Sequence, residues 1–204
     1  MSFLKTFLEH SKDEIWGKIA NDIGGTFENG GLCGRDVLRY SSGEWEITLD
    51  TYTVNSGNYR NTYTRMRAPF VNKDKLYFKI YREGVLSTIA KAFGMKEIEI
   101  GDKFFDMDFI IKGNNEEKIK LLLDDHKLKE LIRKQPDICF EIKNDDGWFA
   151  QKFPNGVDEL YFQCSGDLEN EELLKSLFEM FCITLQRLVQ IDSAYESDPN
   201  VKIL

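Results

Sequence analysis

The sequence predicts an α+β fold. Three features point to it: strand patterns gather in antiparallel runs, helical patterns stand between the runs, and a long helical stripe comes last. That last stripe is wide enough to lie across a sheet. The 204 residues are 42% hydrophobic, 13% aromatic and 30% charged, enough apolar material for one folded core of ordinary size. These values exclude disordered and collagen-like chains.

The first element reads as a helix, with Leu4, Phe7, Leu8, Ile15, Ile19 and Ile23 on one face. Gly24-Gly25 ends it, because glycine takes the left-handed conformation cheaply. A glycine-dotted stretch to Gly43 holds short strand candidates around Phe27 and Val37-Leu38. Gly57-Asn58 then suits a two-residue hairpin turn. Centring the hairpin there sets Trp45 opposite Phe70, Ile47 opposite Ala68, Leu49 opposite Met66, Thr51 opposite Thr64 and Thr53 opposite Thr62. The other face sets Thr48 opposite Arg67, Asp50 opposite Arg65 and Tyr52 opposite Tyr63. Apolar meets apolar and acid meets base in one register, which a one-residue slip would destroy.

A third strand, Leu76 to Tyr81, is expected to complete a meander after the turn Asn72-Lys73-Asp74. A short helix follows from Val85 to Phe93, stopped by Gly94. Residues 97–113 read as one or two strands, with Met107, Phe109 and Ile111 alternating with Asp106, Asp108 and Ile110. Asn114 or Asn115 caps a helix whose stripe is Ile119, Leu122 and Leu123. Leu128, Leu131 and Ile132 mark a second helix, stopped before Pro136. Strands are expected at Ile138–Ile142, at Trp148–Phe153 after the turn Asn144–Gly147, and at Leu160–Cys164 after Pro154-Asn155-Gly156. The long helix runs from about Glu169 to Asp192 on Leu174, Leu177, Phe178, Phe181, Leu185 and Leu188. The tail Ser197–Asn200 reads as an extended surface segment. The whole chain is expected to form one domain, with sub-halves 1–94 and 95–204 that share an order of strands closed by a helix. No residue-level self-similarity links the halves.

Three stretches carry a family resemblance: Thr64–Phe70, Phe93–Asn114 and Ile191–Tyr195. The central one resembles the "fG…IxIGDxxFDxxFxIKG" segment of a bacterial domain of unknown function, and the likeness runs from about Trp45 to the C-terminus. It implies a bacterial, cytosolic source and carries no activity with it. Asp192 departs from the pattern, which leads one to expect glycine there.

Charge and cysteine usage narrow the function classes. With 27 Lys plus Arg against 35 Asp plus Glu the net charge is −8, which argues against broad phosphate neutralisation of a nucleic acid. No apolar stretch approaches the roughly 20 residues of a membrane span, and Met1–Lys5 lacks the pattern of a secretory signal. The four cysteines, Cys33, Cys139, Cys164 and Cys182, form no C-x-x-C pair, which fits a reduced cytoplasmic protein. His10 and His126 stand apart from them in sequence, which disfavours zinc.

Two clusters are candidate sites. Asp102, Asp106 and Asp108 are candidates for a hard divalent cation, since on a strand Asp106 and Asp108 share a face; the competing reading is a solvated strand balanced by Lys103 and Lys112. Arg60, Arg65, Arg67 and Arg82 are candidates for an anion site, because guanidinium forks match phosphate oxygens. Against it, Asp50, Glu44 and Glu46 lie on the same hairpin, and the register puts Asp50 opposite Arg65. No nucleophile elbow accompanies Asp124-Asp125-His126, and Gly24–Gly34 lacks a phosphate-loop signature. The sequence therefore reads as a non-enzymatic binding or interaction protein without cofactor, contacting another protein or a second copy of itself. The alternative is a binder of a lipid or apolar small molecule between sheet and C-terminal helix, which a side-chain-filled core would oppose. The weakest reading is a metal-dependent hydrolase built on the three aspartates.

Overall fold

A computed structural model describes residues 2–31, 34–57, 59–82, 95–144 and 153–203, and the side chains among them from residue 12 onward, that of Ser56 excepted. The expected helix at 85–93 and the expected strand at 148–153, except Phe153, fall outside these residues. The described elements are helices and strands in mixed order, and the fold is α+β with an antiparallel sheet. Helix α1 (Ser2–Ile23) leads into β1 (Thr26–Glu28), β2 (Val37–Ser42), β3 (Trp45–Ser56), β4 (Tyr59–Asn72) and β5 (Phe78–Tyr81). Then come β6 (Lys96–Glu97), α2 (Lys103–Asp108), β7 (Ile110–Gly113), α3 (Glu116–Leu123) and α4 (His126–Lys134). The chain closes with β8 (Cys139–Lys143), β9 (Val157–Ser165), α5 (Glu171–Gln190) and β10 (Ala194–Tyr195).

The ten strands among the described residues join one sheet in the order β1-β2-β3-β4-β9-β8-β5-β7-β6, with β10 paired to β4. The hairpin register expected from sequence is present from Thr48↔Arg67 to Ser56↔Tyr59. The β3–β4 ladder stops at Thr48, short of the expected Ile47–Ala68 and Trp45–Phe70 pairs, and on its other edge β3 pairs with β2 through Ile47↔Tyr40 and Trp45↔Ser42. Beyond Arg67 the β4 strand continues, and β10 pairs with it at Val71 and Asn72.

The meander is a correction. β5 lies between β8 and β7, not beside β4. The neighbour of β4 is β9, paired over eight residues from Thr64↔Cys164 to Val71↔Val157. The turn at 72–76 is nonetheless real: Lys75 is left-handed at φ 58°, and Asn72 Nδ2 donates to the Leu76 carbonyl at 3.1 Å. A turn fixes the reversal of the chain, whereas which strands pair depends on distant partners.

Residues 103–108 are the second correction. They form a helix, with Asp102 as its N-cap accepting from the Phe105 N–H at 3.2 Å. The Phe105 and Phe109 rings pack at a tilt, with centroids 4.6 Å apart. The apparent strand alternation of Met107, Phe109 and Ile111 thus masked a helical pair four residues apart and a capping aspartate. Past the tail segment 197–200, in which Asp198 and Asn200 are exposed, Ile203 is buried and its carbonyl accepts from Arg39 at 3.4 Å.

The core lies between the sheet and the helices. Leu38, Ile47, Leu49, Met66, Ala68, Phe70, Phe140 and Phe162 face Leu174, Leu177, Phe181, Leu185 and Leu188 of α5, all at 1% exposure or less. Trp16 and Ile19 of α1 and Leu128, Leu131 and Ile132 of α4 complete it. The face of α5 toward the sheet is buried against side chains of β2, β3, β4, β8 and β9. α5 ends in a Schellman arrangement: Ser193 N–H donates to Leu188 O at 2.8 Å and Asp192 N–H to Val189 O at 3.0 Å. That motif needs a left-handed residue, and Asp192 supplies it at φ 59°. A glycine would take this conformation more cheaply.

Candidate functional site

The sheet face opposite the helices is polar yet buried. Side chains alternate along a strand, so the residues between the core positions share this face: Thr48 and Asp50 of β3, Arg65 and Arg67 of β4, Tyr161 and Gln163 of β9, and Lys79 of β5. Asp50 is fully buried. Its carboxylate accepts from Arg65 Nε at 2.5 Å and Nη2 at 2.9 Å, from Arg67 Nη2 at 3.0 Å and from Arg35 Nη1 at 3.1 Å. Next to it, the Tyr52 and Tyr161 hydroxyls each donate to Gln163 Oε1 at 2.8 Å, and Arg65 stacks over the Tyr52 ring at 5.0 Å. Lys79 meets Glu141 at 3.0 Å. Burial, with Glu141 nearby, pushes the Cys139 thiol up to about 12, so it is no nucleophile at neutral pH.

The four arginines are not brought together. Arg65 and Arg67 donate to Asp50, as the hairpin register implied. Arg60 sits opposite Asn55 near the hairpin tip. Arg82 follows β5, three strands from β4, or roughly 14 Å; it donates to the Arg133 carbonyl at 2.8 Å and lies over the Phe109 ring. Sequence reasoning missed Arg35, which reaches Asp50 from the glycine-dotted stretch, and the β9 residues, whose proximity no local pattern encodes.

The three aspartates also take separate roles. Asp102 caps α2 and holds Lys129 at 2.9 Å and Arg133 at 3.2 Å. Asp106 accepts from the Ile100 and Gly101 N–H groups, each at 3.0 Å. Asp106 and Asp108, two apart on a helix, do not share a face. Among the described residues no group of three His, Cys, Asp or Glu side chains is arranged to hold a metal. The Lys129 ammonium and the Phe105 N–H hold the Asp102 carboxyl down to about 2. A folded-state value below the unfolded 3.8 means that this contribution is present above pH 4 and lost as pH falls toward 2. Asp102→Ala is accordingly expected to be less stable than the parent at pH 7, by about 1 kcal/mol. The difference should shrink toward pH 2, as read by urea unfolding at each pH.

The hairpin extends past the sheet. β2 leaves β3 at Asp50, and β9 leaves β4 at Thr64, with a single bridge from Tyr63 to Gly166. Beyond these points β3 and β4 pair only with each other among the described residues. Tyr52 and Tyr63 stack at 5.3 Å near the base of this ribbon, while Val54 and Tyr59 toward its tip are exposed. Residues 51–64 contain one charged residue, Arg60, and no acid, in a chain of net charge −8. Two clefts also open at the surface. One, of about 360 Å³, lies between Ser41–Glu46, Pro69 and Asp198–Lys202. The other, of about 530 Å³, lies beside β6. No helix is long and apolar enough to cross a membrane among the described residues.

No family model matches the chain. No curated protein matches it. Among solved structures the fold is similar to the crystal structure of the mycobacterial trehalose monomycolate transport factor A, TtfA. The TM-score is 0.50 at 8% identity, over 87% of this chain and 94% of that one. At that identity the likeness is one of fold.

Proposed function

We propose that this chain is a cytoplasmic, bacterial binding protein that works through contact with another protein. The observation that carries this reading is the ribbon formed by β3 and β4. It presents tyrosine, threonine, serine, asparagine and glycine with no acid, on an otherwise acidic chain. Tyrosine supplies large amphipathic contact at low entropic cost, and small polar residues supply adaptable hydrogen bonds. Tyr59 and Val54 lie exposed at its tip, where a partner could cover them. The buried polar layer below is occupied in holding the sheet together, and burial keeps the Cys139 thiol protonated at neutral pH.

A second reading, a binder of a lipid or apolar small molecule, is favoured by one observation: the protein with the similar fold is a trehalose monomycolate transport factor. The filled interface under α5 opposes that location for such a ligand. Native mass spectrometry of the protein isolated gently from its host separates the two. The protein-contact reading expects a stoichiometric complex with another polypeptide. An adduct of a few hundred daltons on a bare monomer would replace it with the second reading.

A further inference from the structure

Strands β3 and β4 diverge below their shared ladder. The ladder stops at Thr48↔Arg67. From there β3 runs on beside β2 to Trp45↔Ser42, and β4 runs on beside β9 to Val71↔Val157. The same register would set Glu46 against Pro69, which has no N–H to give to a ladder. Past this fork β10 takes the edge of β4 at Val71 and Asn72. The chain after β10, residues 196–203, then crosses the fork to β2 as a strap. Pro199 and Ile203 are buried along it, and Arg39 of β2 donates to the Ile203 carbonyl.

The strap is lightly held. Its entry through β10 has two residue pairs, and the Arg39 bond is long, at 3.4 Å. Ile203, 2% exposed, is buried apart from the main apolar cluster. The cleft of about 360 Å³ opens between strap and fork, walled by Glu44, Trp45, Glu46 and Pro69 on one side and by Asp198 and Val201 on the other. Both walls carry acids, and Arg39, 3.8 Å from Glu46, offsets only one of them. Glu196 adds another beside the turn at Gly43. Like charges facing each other weaken a contact, and a segment with few buried apolar contacts opens first.

We propose that the strap is a displaceable occupant of a docking groove, and that an extended segment of a partner protein takes its place. The strap itself shows what the groove accepts: a proline over the fork, an isoleucine-sized side chain in the Ile203 seat, and a main-chain carbonyl for Arg39. A tethered occupant acts at an effective concentration of order millimolar, so the replacement has to bind better than the strap does. Lysine or arginine where the strap carries Glu196 and Asp198 supplies the difference, by turning repulsion from Glu44 and Glu46 into attraction. The proposal rests on the protein-contact reading above and adds a surface that the ribbon does not share.

The test uses the intact protein and a fluorescein-labelled peptide, Lys-Ser-Lys-Pro-Asn-Val-Lys-Ile, which is the strap with lysine at both acidic positions. Anisotropy is expected to show saturable binding, at least tenfold tighter than that of the unaltered strap sequence, and none when the final isoleucine is serine. Glu44→Lys with Glu46→Lys should weaken it at least tenfold. Ile203→Ser loosens the strap without touching the main core, and should strengthen it at least tenfold. Methyl NMR reads displacement on the parent protein itself. The buried Ile203 δ1 methyl, assigned by its loss in Ile203→Ser, should move to the position of a solvent-exposed isoleucine as peptide saturates. Loose charge attraction would leave it in place. An unmoved Ile203 methyl, absence of binding, equal binding by the charge-reversed protein, or a dimer in sedimentation that Ile203→Ser abolishes would each overturn the proposal. Tyr59→Ser with Val54→Thr at the ribbon should leave peptide binding intact, so failure here and failure of the protein-contact reading are read separately.

Discussion

Replacing Asp50 by alanine is expected to lower the unfolding free energy by about 3–5 kcal/mol, the usual cost of removing one member of a buried ion pair. The size follows from the geometry. One fully buried carboxylate receives three guanidinium groups, from Arg35, Arg65 and Arg67, over four bonds of 2.5–3.1 Å. Its loss sets Arg65 and Arg67, both well covered, against each other. Asp50→Asn keeps the shape and removes the charge, so it should fall nearly as far; a loss confined to the alanine variant would trace the effect to packing. Urea unfolding followed by circular dichroism measures both. A change below about 1 kcal/mol would mean that the cluster behaves like exposed ion pairs.

Phe181→Ala is expected to cost about 3–5 kcal/mol, the range for truncating a large buried aromatic. Phe181 is fully buried at the middle of α5 and meets Phe140 of β8 at 5.7 Å between centroids. Phe140 in turn meets Phe78 of β5 at 5.3 Å. The vacated space lies where helix and sheet interlock, so little can collapse into it. The same denaturation experiment reads it. A loss near that of an exposed substitution would show that the interface under α5 is loosely filled, which would reopen it to a small apolar ligand.

Local signals in the sequence carried much of the fold. The hairpin register from Thr48 to Arg67 was legible because one register alone matched apolar to apolar and acid to base. The cap at Asn115 and the stripe of α5 were legible because helix ends and faces are set within a few residues, whereas the cap that Asp125 supplies to α4 was not read. Strand order was not. Nothing near Leu76–Tyr81 encodes that β9 will take the place beside β4, since that choice is made by the buried residues of β9, far along the chain. The Asp102–Asp108 segment misled because a six-residue helix supplies too few turns for its period to stand out against alternation.

The candidate sites divide along the same line. The pairing of Asp50 with Arg65 was readable from the hairpin. The closure of that cluster by Arg35, and its continuation into Gln163 and Tyr161, depends on elements joined only by folding. The free ribbon was invisible for a related reason. Its sequence shows a hairpin, and only the ends of β2 and β9 show how much of that hairpin stands clear of the sheet.

The most direct test of the protein-contact reading repeats the gentle isolation and native mass spectrometry with Tyr59→Ser combined with Val54→Thr. Both positions are exposed, so the fold should be retained, as a thermal melt would verify. A polypeptide partner is expected on the parent protein, with at least a tenfold loss of it on the variant. Equal recovery of the partner by the folded variant would contradict the ribbon's role.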